Sequence, residues 1–208
     1  WRANLSGANL SGTYLANSNL VDADLSYADL TYVNLTNANI LRCNFANSDM
    51  RYSNLRGLSF WNQNLSGANL SGLNLSGQYM RYADFRESDL NGTIMENTNL
   101  DNSNFAGTFL RYTDLDNASL RHTDFSNAYL FDTFLRGADL YSSNLSGANL
   151  SDANMRYSNL RYSDLSYADL RYTDFRFAVL YDINFEFVEW GPNTICPDGT
   201  VSNEDNGN

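Results

Sequence analysis

The chain contains no lysine: all 13 of its basic residues are arginine, and its single histidine is His122. Set against 24 acidic residues, this gives a formal net charge of −11. A nucleic-acid backbone is gripped by clustered cations, so direct nucleic-acid binding is not expected. Proline is nearly absent, and both copies, Pro192 and Pro197, fall after residue 190, which leaves a long stretch free for unbroken main-chain ladders. No apolar run is long enough to span a bilayer, and no membrane insertion is expected. No signal-peptide pattern is visible; the chain starts at Trp1, without Met and in mid-repeat, as a processed protein or an excised domain would. There is no CxxC pair, HExxH, EF-hand loop or GGxGxD loop, so neither metal nor cofactor is expected.

What the chain has is one period. Every fifth residue from Leu5 to Trp190 is apolar, without a change of register, which makes 38 repeats. Two positions before each apolar residue, 31 of 38 residues are Ala, Ser, Thr or Cys; one position before, 28 of 38 are Asn or Asp. Five steps round an α-helix turn a side chain by about 140°, and five along a strand flip it, so neither element gives one buried stripe. If each five-residue unit instead forms one side of a coil and turns by roughly a right angle, four units close a 20-residue square. The apolar and small positions then point inward, and the Asn/Asp positions sit at turns, where short polar side chains bond nearby backbone and tolerate unusual geometry. Five of the seven central phenylalanines, Phe45, Phe85, Phe105, Phe125 and Phe185, are separated by multiples of 20 and are expected to stack. At about 4.8 Å per coil, the nine and a half coils expected from 38 repeats make a rod of roughly 45 Å. One boundary follows: a repeat domain over 1–190 and a polar C-terminal tail over 191–208.

Segments such as ANLSGANL at Ala3 to Leu10, ADLSYADL at Ala23 to Leu30 and SDLSYADL at Ser163 to Leu170 resemble the pentapeptide-repeat proteins, whose unit reads approximately A(D/N)LXX. The resemblance implies an all-β fold, a right-handed quadrilateral β-helix, and a non-enzymatic structural or protein-interaction rod with an unknown protein partner. It also suggests an alternative: some acidic members, of the quinolone-resistance type, mimic DNA and occupy the DNA-binding saddle of gyrase. Against the alternative, 11 of the 19 Asp residues are architectural, no loops interrupt the coils, and the tail lacks a helical apolar period. The tail motif NTICPDGT, Asn193 to Thr200, resembles some cyanobacterial members in which the Cys of a CPDG turn pairs with a later Cys. Here none follows Cys196, so truncation, a free thiol and an intermolecular bond are all compatible with it. On the same resemblance, the periplasm or thylakoid lumen is favoured over the cytoplasm. Cys43, a buried small residue in this register, lies some seven coils or roughly 35 Å away, too far for a disulfide.

Functional candidates come from breaks in the pattern. Ile94, Phe109, Tyr129 and Phe134 stand where Asn or Asp is usual, with Tyr112 and Phe131 nearby. Folded by 20, they gather on two faces sharing a corner, rimmed by Arg111 and Asp132, and form the expected partner-binding patch. Arg136, Arg156 and Arg176 fall in one column beside Tyr157 and Phe177, which suggests guanidinium stacking on rings or an anionic ligand. Arg81, Asp101 and Arg121 alternate in sign along another column, as ordinary surface pairing. His122 has Asn102 and Ser142 as column neighbours and no nucleophile or acid arranged about it, so catalysis is not expected. Thr93, Thr113 and Thr133 point inward by register. Leu58, Gln63, Leu73 and Gln78 fill small inward positions, so either the coil widens there or the polar amides find internal partners, and hydrogen-bonded Gln63 and Gln78 side chains are expected. The uncapped first coil, starting at Trp1, invites an end-to-end homodimer.

Overall fold

The computed structural model describes residues 2–191 and 193–202. Trp1, where the uncapped coil was expected to begin, Pro192, and residues 203–208 of the expected tail lie outside the described residues. The backbone is a stack of coils in which, from Asn4 to Glu189, each ladder contact joins residues 20 apart in parallel: Asn4 with Asp24, Asp24 with Asn44, and likewise in three further columns, for example Asn9 with Asp29, Tyr14 with Asn34 and Asn19 with Asn39. Each face contributes one paired residue per coil, flanked by the two inward positions. No helix occurs among the described residues.

The corners explain the five-residue period. At each corner from Leu5 to Phe185 except the one after Leu180, the residue three beyond a central side chain donates its N–H to the central carbonyl, as Ala8 does to Leu5 at 3.0 Å. The residue two beyond the central one has positive φ at every fifth position from Arg2 to Phe187, including Asn17, Tyr52, His122 and Phe177. Positive φ at the third residue of a four-residue turn is the type II pattern. The Asn and Asp residues of the repeat's own Asn/Asp position do not adopt this conformation; they sit in the paired ladder, one position before the central residue, while other Asn and Asp residues, such as Asn17 and Asp22, occupy the corner. Their part in the turn is to accept the next corner's N–H, as Asn4 Oδ1 does from Ser6 at 3.1 Å and Asp24 Oδ1 from Ser26 at 3.0 Å. The sequence-based expectation was therefore right about local hydrogen bonding and wrong about which residue carries the left-handed geometry.

Inside, central side chains from Leu25 to Phe175 are buried, each contributing ~1.5–3 kcal/mol before chain entropy is subtracted. Phe85, Phe105 and Phe125 stack face to face at 4.8 Å, matching the coil repeat. The inward Thr93, Thr113 and Thr133 hydroxyls donate to the carbonyls of Leu70, Leu90 and Leu110 in the preceding coil. These three threonines are thus satisfied in the core.

Two places depart from the regular stack. After Trp190 one residue is inserted, and the ladder continues with a shift of one: Ile195 pairs with Asp174, Phe175 N–H donates to Ile195 O at 2.8 Å, and Val201 folds back antiparallel on Ile195. Pro197, Asp198 and Gly199 make the expected tight turn between them, with Gly199 at φ 86°. The other departure lies at the oversized inward residues. The pairings that would join Asn54 to Asn74 and Ser59 to both Asn39 and Tyr79 are missing, although Asn44–Asn64 and Asp49–Asn69 on the other faces are intact. Gln63 Nε2 donates to Ile40 O at 3.1 Å, as expected, but its Oε1 is buried without a partner. Gln78 corrects the expectation more strongly: its Oε1 is buried and unpartnered, because the neighbouring coil has moved away instead of supplying a donor.

Candidate functional site

The corner formed by Arg111, Tyr112, Phe131 and Asp132 separates the ladder face of Phe109 and Tyr129 from that of Ile94 and Phe134. Coil spacing brings Phe109 and Tyr129 face to face, 4.9 Å apart with planes 7° from parallel. The Arg111 guanidinium lies 4.5 Å from the Tyr112 ring centre and 4.8 Å from that of Phe131, and donates to the Tyr112 hydroxyl at 2.7 Å. Asp132, at 3.7 Å, balances part of its charge. Ile94 and Phe134 share a column but do not touch as ladder partners, since Asp114 pairs with both from the coil between them. Ile94, Phe109, Tyr112, Tyr129 and Phe134 are 39–51% exposed, and Phe131 is half-buried. The result is a fixed apolar shelf with a positive edge, held by backbone pairing on both faces.

The arginine column is differently organised. Asp174 accepts from Arg156 Nε at 2.7 Å and from Arg176 Nη2 at 2.7 Å, while the Arg136 guanidinium lies 5.6 Å from the Tyr157 ring centre. Tyr157 stacks on Phe177 at 4.9 Å. Repulsion between the stacked cations is thus relieved within the chain, and an external anion would compete with Asp174 for two of the three. The third charged column is looser: Arg81 approaches Asp101 at 3.9 Å, whereas Arg121 turns to Asp139 at 3.7 Å.

A second outer aromatic run was missed by folding the sequence in steps of 20. His122 meets Tyr141 edge-on at 5.7 Å, and Tyr141, Tyr162 and Tyr181 continue edge-to-face at 5.3 and 5.6 Å. Successive tyrosines are 21 and 19 residues apart, alternating between the two positions of one corner, so no single column contains them. Arg121 lies over Tyr141 at 5.1 Å. His122 therefore belongs to an aromatic edge.

Cys43 is buried, and its thiol donates to Leu20 O at 2.9 Å; Cys196 is half-buried, and both are free. Burial pushes the Cys43 thiol up to about 11. Among the described residues, no group of three or more His, Cys, Asp or Glu could hold a metal ion, and no helix is long and apolar enough to cross a membrane.

The family model for pentapeptide repeats matches this chain in 8 segments, from residues 3–40 to 148–186. A comparison with curated proteins finds no match. Among solved structures, the chain is similar to HetL, a pentapeptide repeat protein involved in heterocyst differentiation regulation from the cyanobacterium Nostoc, with 26% identity over 97% of this chain and 94% of that one and a TM-score of 0.53. A trypsin-treated form of QnrB1, a plasmid-mediated fluoroquinolone resistance protein, shares 18% identity over 83% and 89% of the two chains at a TM-score of 0.56, a likeness of fold alone. A pentapeptide repeat protein of the Arabidopsis thaliana thylakoid lumen shares 28% identity over 57% of this chain and 72% of that one, but its TM-score of 0.34 carries no argument about location. With its matched repeats, parallel ladders 20 residues apart and unbroken series of corners, this chain belongs to the pentapeptide-repeat family, whose fold is the right-handed quadrilateral β-helix.

Proposed function

We propose that the protein is a non-enzymatic interaction rod that binds a protein partner through the corner of Ile94, Phe109, Arg111, Tyr112, Tyr129, Phe131 and Phe134. The observation that carries this reading is the exposure of five large apolar or aromatic side chains where the repeat ordinarily places Asn, Asp or a turn residue. A rod needs only a paired backbone at those positions. Rings held rigid by stacking lose little conformational entropy on binding, and an arginine lying against two rings with half its side chain exposed is suited to an interface. The involvement of HetL in the regulation of heterocyst differentiation is in keeping with a scaffold of this kind.

The DNA-mimic alternative finds less support. Mimicry needs a continuous acidic surface, and Arg111, Arg121, Arg136, Arg156 and Arg176 interrupt it over the C-terminal half. The likeness to QnrB1 lies at the level of fold.

The test immobilises the rod, exposes it to a cyanobacterial lysate, and identifies what remains bound, comparing the wild type with a folded Phe109→Ser, Phe134→Ser double variant. A partner retained by the first and lost by the second is the expected result. Equal retention by both would move the interface elsewhere, and recovery of gyrase would favour mimicry.

A further inference from the structure

The gap in the ladder is a site in its own right, separate from the aromatic corner. Leu73 stands above Ser53 and Gln78 above Leu58, placing large inward side chains where a 4.8 Å coil spacing leaves room for Ala, Ser or Thr. The coils stay joined on the faces of Asn44–Asn64 and Asp49–Asn69 and part on the other two, like a wedge.

Main-chain groups are left open on both lips. One coil further on, Leu75 N–H donates to Ile94 O at 2.7 Å and Gly77 N–H to Glu96 O at 2.8 Å. The corresponding bonds from Leu55 to Asn74 and from Gly57 to Ser76 are not made, nor are those from Asn74 to Ser53 and from Tyr79 to Leu58. Between residues 53–58 and 74–79 lies a cleft of about 640 Å³. An adjoining hollow of about 300 Å³ is lined by Ile40, Leu41, Trp61 and Gln63. Gln63 and Gln78, which line the hollow and the cleft respectively, each keep an unpartnered Oε1 sealed from solvent. The Arg56 side chain lines the cleft and has no carboxylate partner among the described residues.

We propose that this wedge binds an extended acidic peptide segment, inserted as an additional strand between the two coils with an Asp or Glu side chain facing Arg56. Extended backbone is the one ligand that presents N–H and C=O groups alternately to both sides, which is what two open ladder edges require. Strand spacing, rise and sheet separation give about 160 Å³ per strand residue, so the cleft accommodates about four residues. Peptide N–H and C=O groups would pair with the open main-chain groups of the lips, and a carboxylate would pair with Arg56. A small apolar ligand would leave these main-chain groups unpaired.

The probe is a pool of acetylated, amidated pentapeptides with Asp at the centre and Thr, Val, Ser or Asn at the flanks. Binding is read by amide exchange at Leu55, Gly57 and Tyr79 in the full chain. The expected result is slowed exchange at these amides, weakened about tenfold in affinity by Arg56→Glu, the size of one charge-assisted hydrogen bond. It should be abolished when the pool is N-methylated at alternate residues. A Leu58→Ala, Gln78→Ala variant, which restores small inward residues, should fold, close the ladder and lose binding. No protection at several millimolar peptide, equal protection by the methylated pool, or equal protection by a pool with Lys at the centre would overturn the proposal. So would protection that rises with protein concentration alone, which would make a second copy of this chain the occupant.

Discussion

The rings of Phe109 and Tyr129 lie 4.9 Å apart and 7° from parallel on the outside of the rod, nearly the geometry that Phe105 and Phe125 adopt inside it at 4.8 Å and 11°. Coil spacing sets both stacks, so geometry alone cannot separate a structural pair from a pair available to a partner. Burial separates them, since Phe105 and Phe125 are completely enclosed while Phe109 and Tyr129 are about half exposed.

Truncation should reveal the difference. Phe105→Ala leaves a cavity and is expected to cost ~3–5 kcal/mol, whereas Tyr129→Ser removes an outer cross-ladder pair and is expected to cost ~0.2–1 kcal/mol. Urea unfolding, accompanied by amide exchange because coils of a solenoid need not unfold together, measures both. A Tyr129→Ser cost as large as that of Phe105→Ala would make the outer stack structural and remove the basis for the partner surface.

Corner glycines give a second test. Gly77 has φ 67° and open space where a Cβ would stand, while a Cβ at Gly147, φ 66°, would meet Asn127 Oδ1 at 2.7 Å. Gly77→Ala should cost ~1–2 kcal/mol from left-handed geometry alone, and Gly147→Ala more. Adding Asn127→Ser should return the Gly147→Ala cost to that of Gly77→Ala in thermal melts. No recovery would place the extra strain in the backbone.

Much of this fold was legible because one period controls it. The inward column of Phe85, Phe105 and Phe125, the inward threonines and the gathering of Phe109 with Tyr129 all follow from arithmetic in steps of 20. That arithmetic assumes equal coils and one position per column. It therefore missed the tyrosine edge from Tyr141 to Tyr181, which zigzags between two corner positions, and the continuation through Ile195, where one residue is inserted. It flagged Gln63 and Gln78 as too large for their places, but periodicity cannot show whether the chain responds with internal hydrogen bonds or by parting its coils. The left-handed position was misplaced because Asn and Asp recur most regularly in the ladder, while the corner is filled by a mixture that includes Asn17, Asp22, Tyr52, Tyr157 and Phe177.

Thiol chemistry should distinguish the two cysteines. With Cys43 buried and its thiol pushed up to about 11, an alkylating reagent at pH 8 is expected to modify Cys196 quickly and Cys43 only on unfolding. The raised folded-state value also favours the folded protein below the ordinary thiol pKa. That contribution is lost as pH rises through about 9 towards about 11. A Cys43→Ser variant should lose this alkaline component of unfolding. Modification of both thiols at equal rates in the folded protein would contradict the burial.

Acid should act through the carboxylates paired with arginine. The Arg51 guanidinium, donating to Asp49 at 2.7 Å, holds that carboxyl below its ordinary value, and Arg42 does the same to Asp22. Depressed folded-state values mean stability that is present above the ordinary aspartate pKa of about 4 and lost as pH falls below it. Asp116, raised chiefly by burial, works in the opposite direction. Asp49→Asn should flatten the acid limb of a stability–pH curve relative to the wild type, and an unchanged limb would show that the pair is too solvated to matter.

The parted coils make the sharpest prediction about the protein without any ligand. Leu55 and Gly57 N–H groups lack the ladder acceptors that their equivalents Leu75 and Gly77 find in Ile94 and Glu96, so their amides should exchange without a protecting hydrogen bond. The difference should appear as fast exchange at residues 55 and 57 beside slow exchange at 75 and 77, even though Leu55 and Leu75 side chains are both buried. Gln78→Ala removes one unpartnered buried oxygen and part of the bulk that separates the coils. It should therefore stabilise the protein by ~1 kcal/mol or more and slow exchange at Leu55, reversing the usual sign of a large-to-small inward substitution. A destabilising Gln78→Ala would mean that the glutamine stem fills space the coils need, and that the parting of the ladder originates with Leu58 and Leu73 instead.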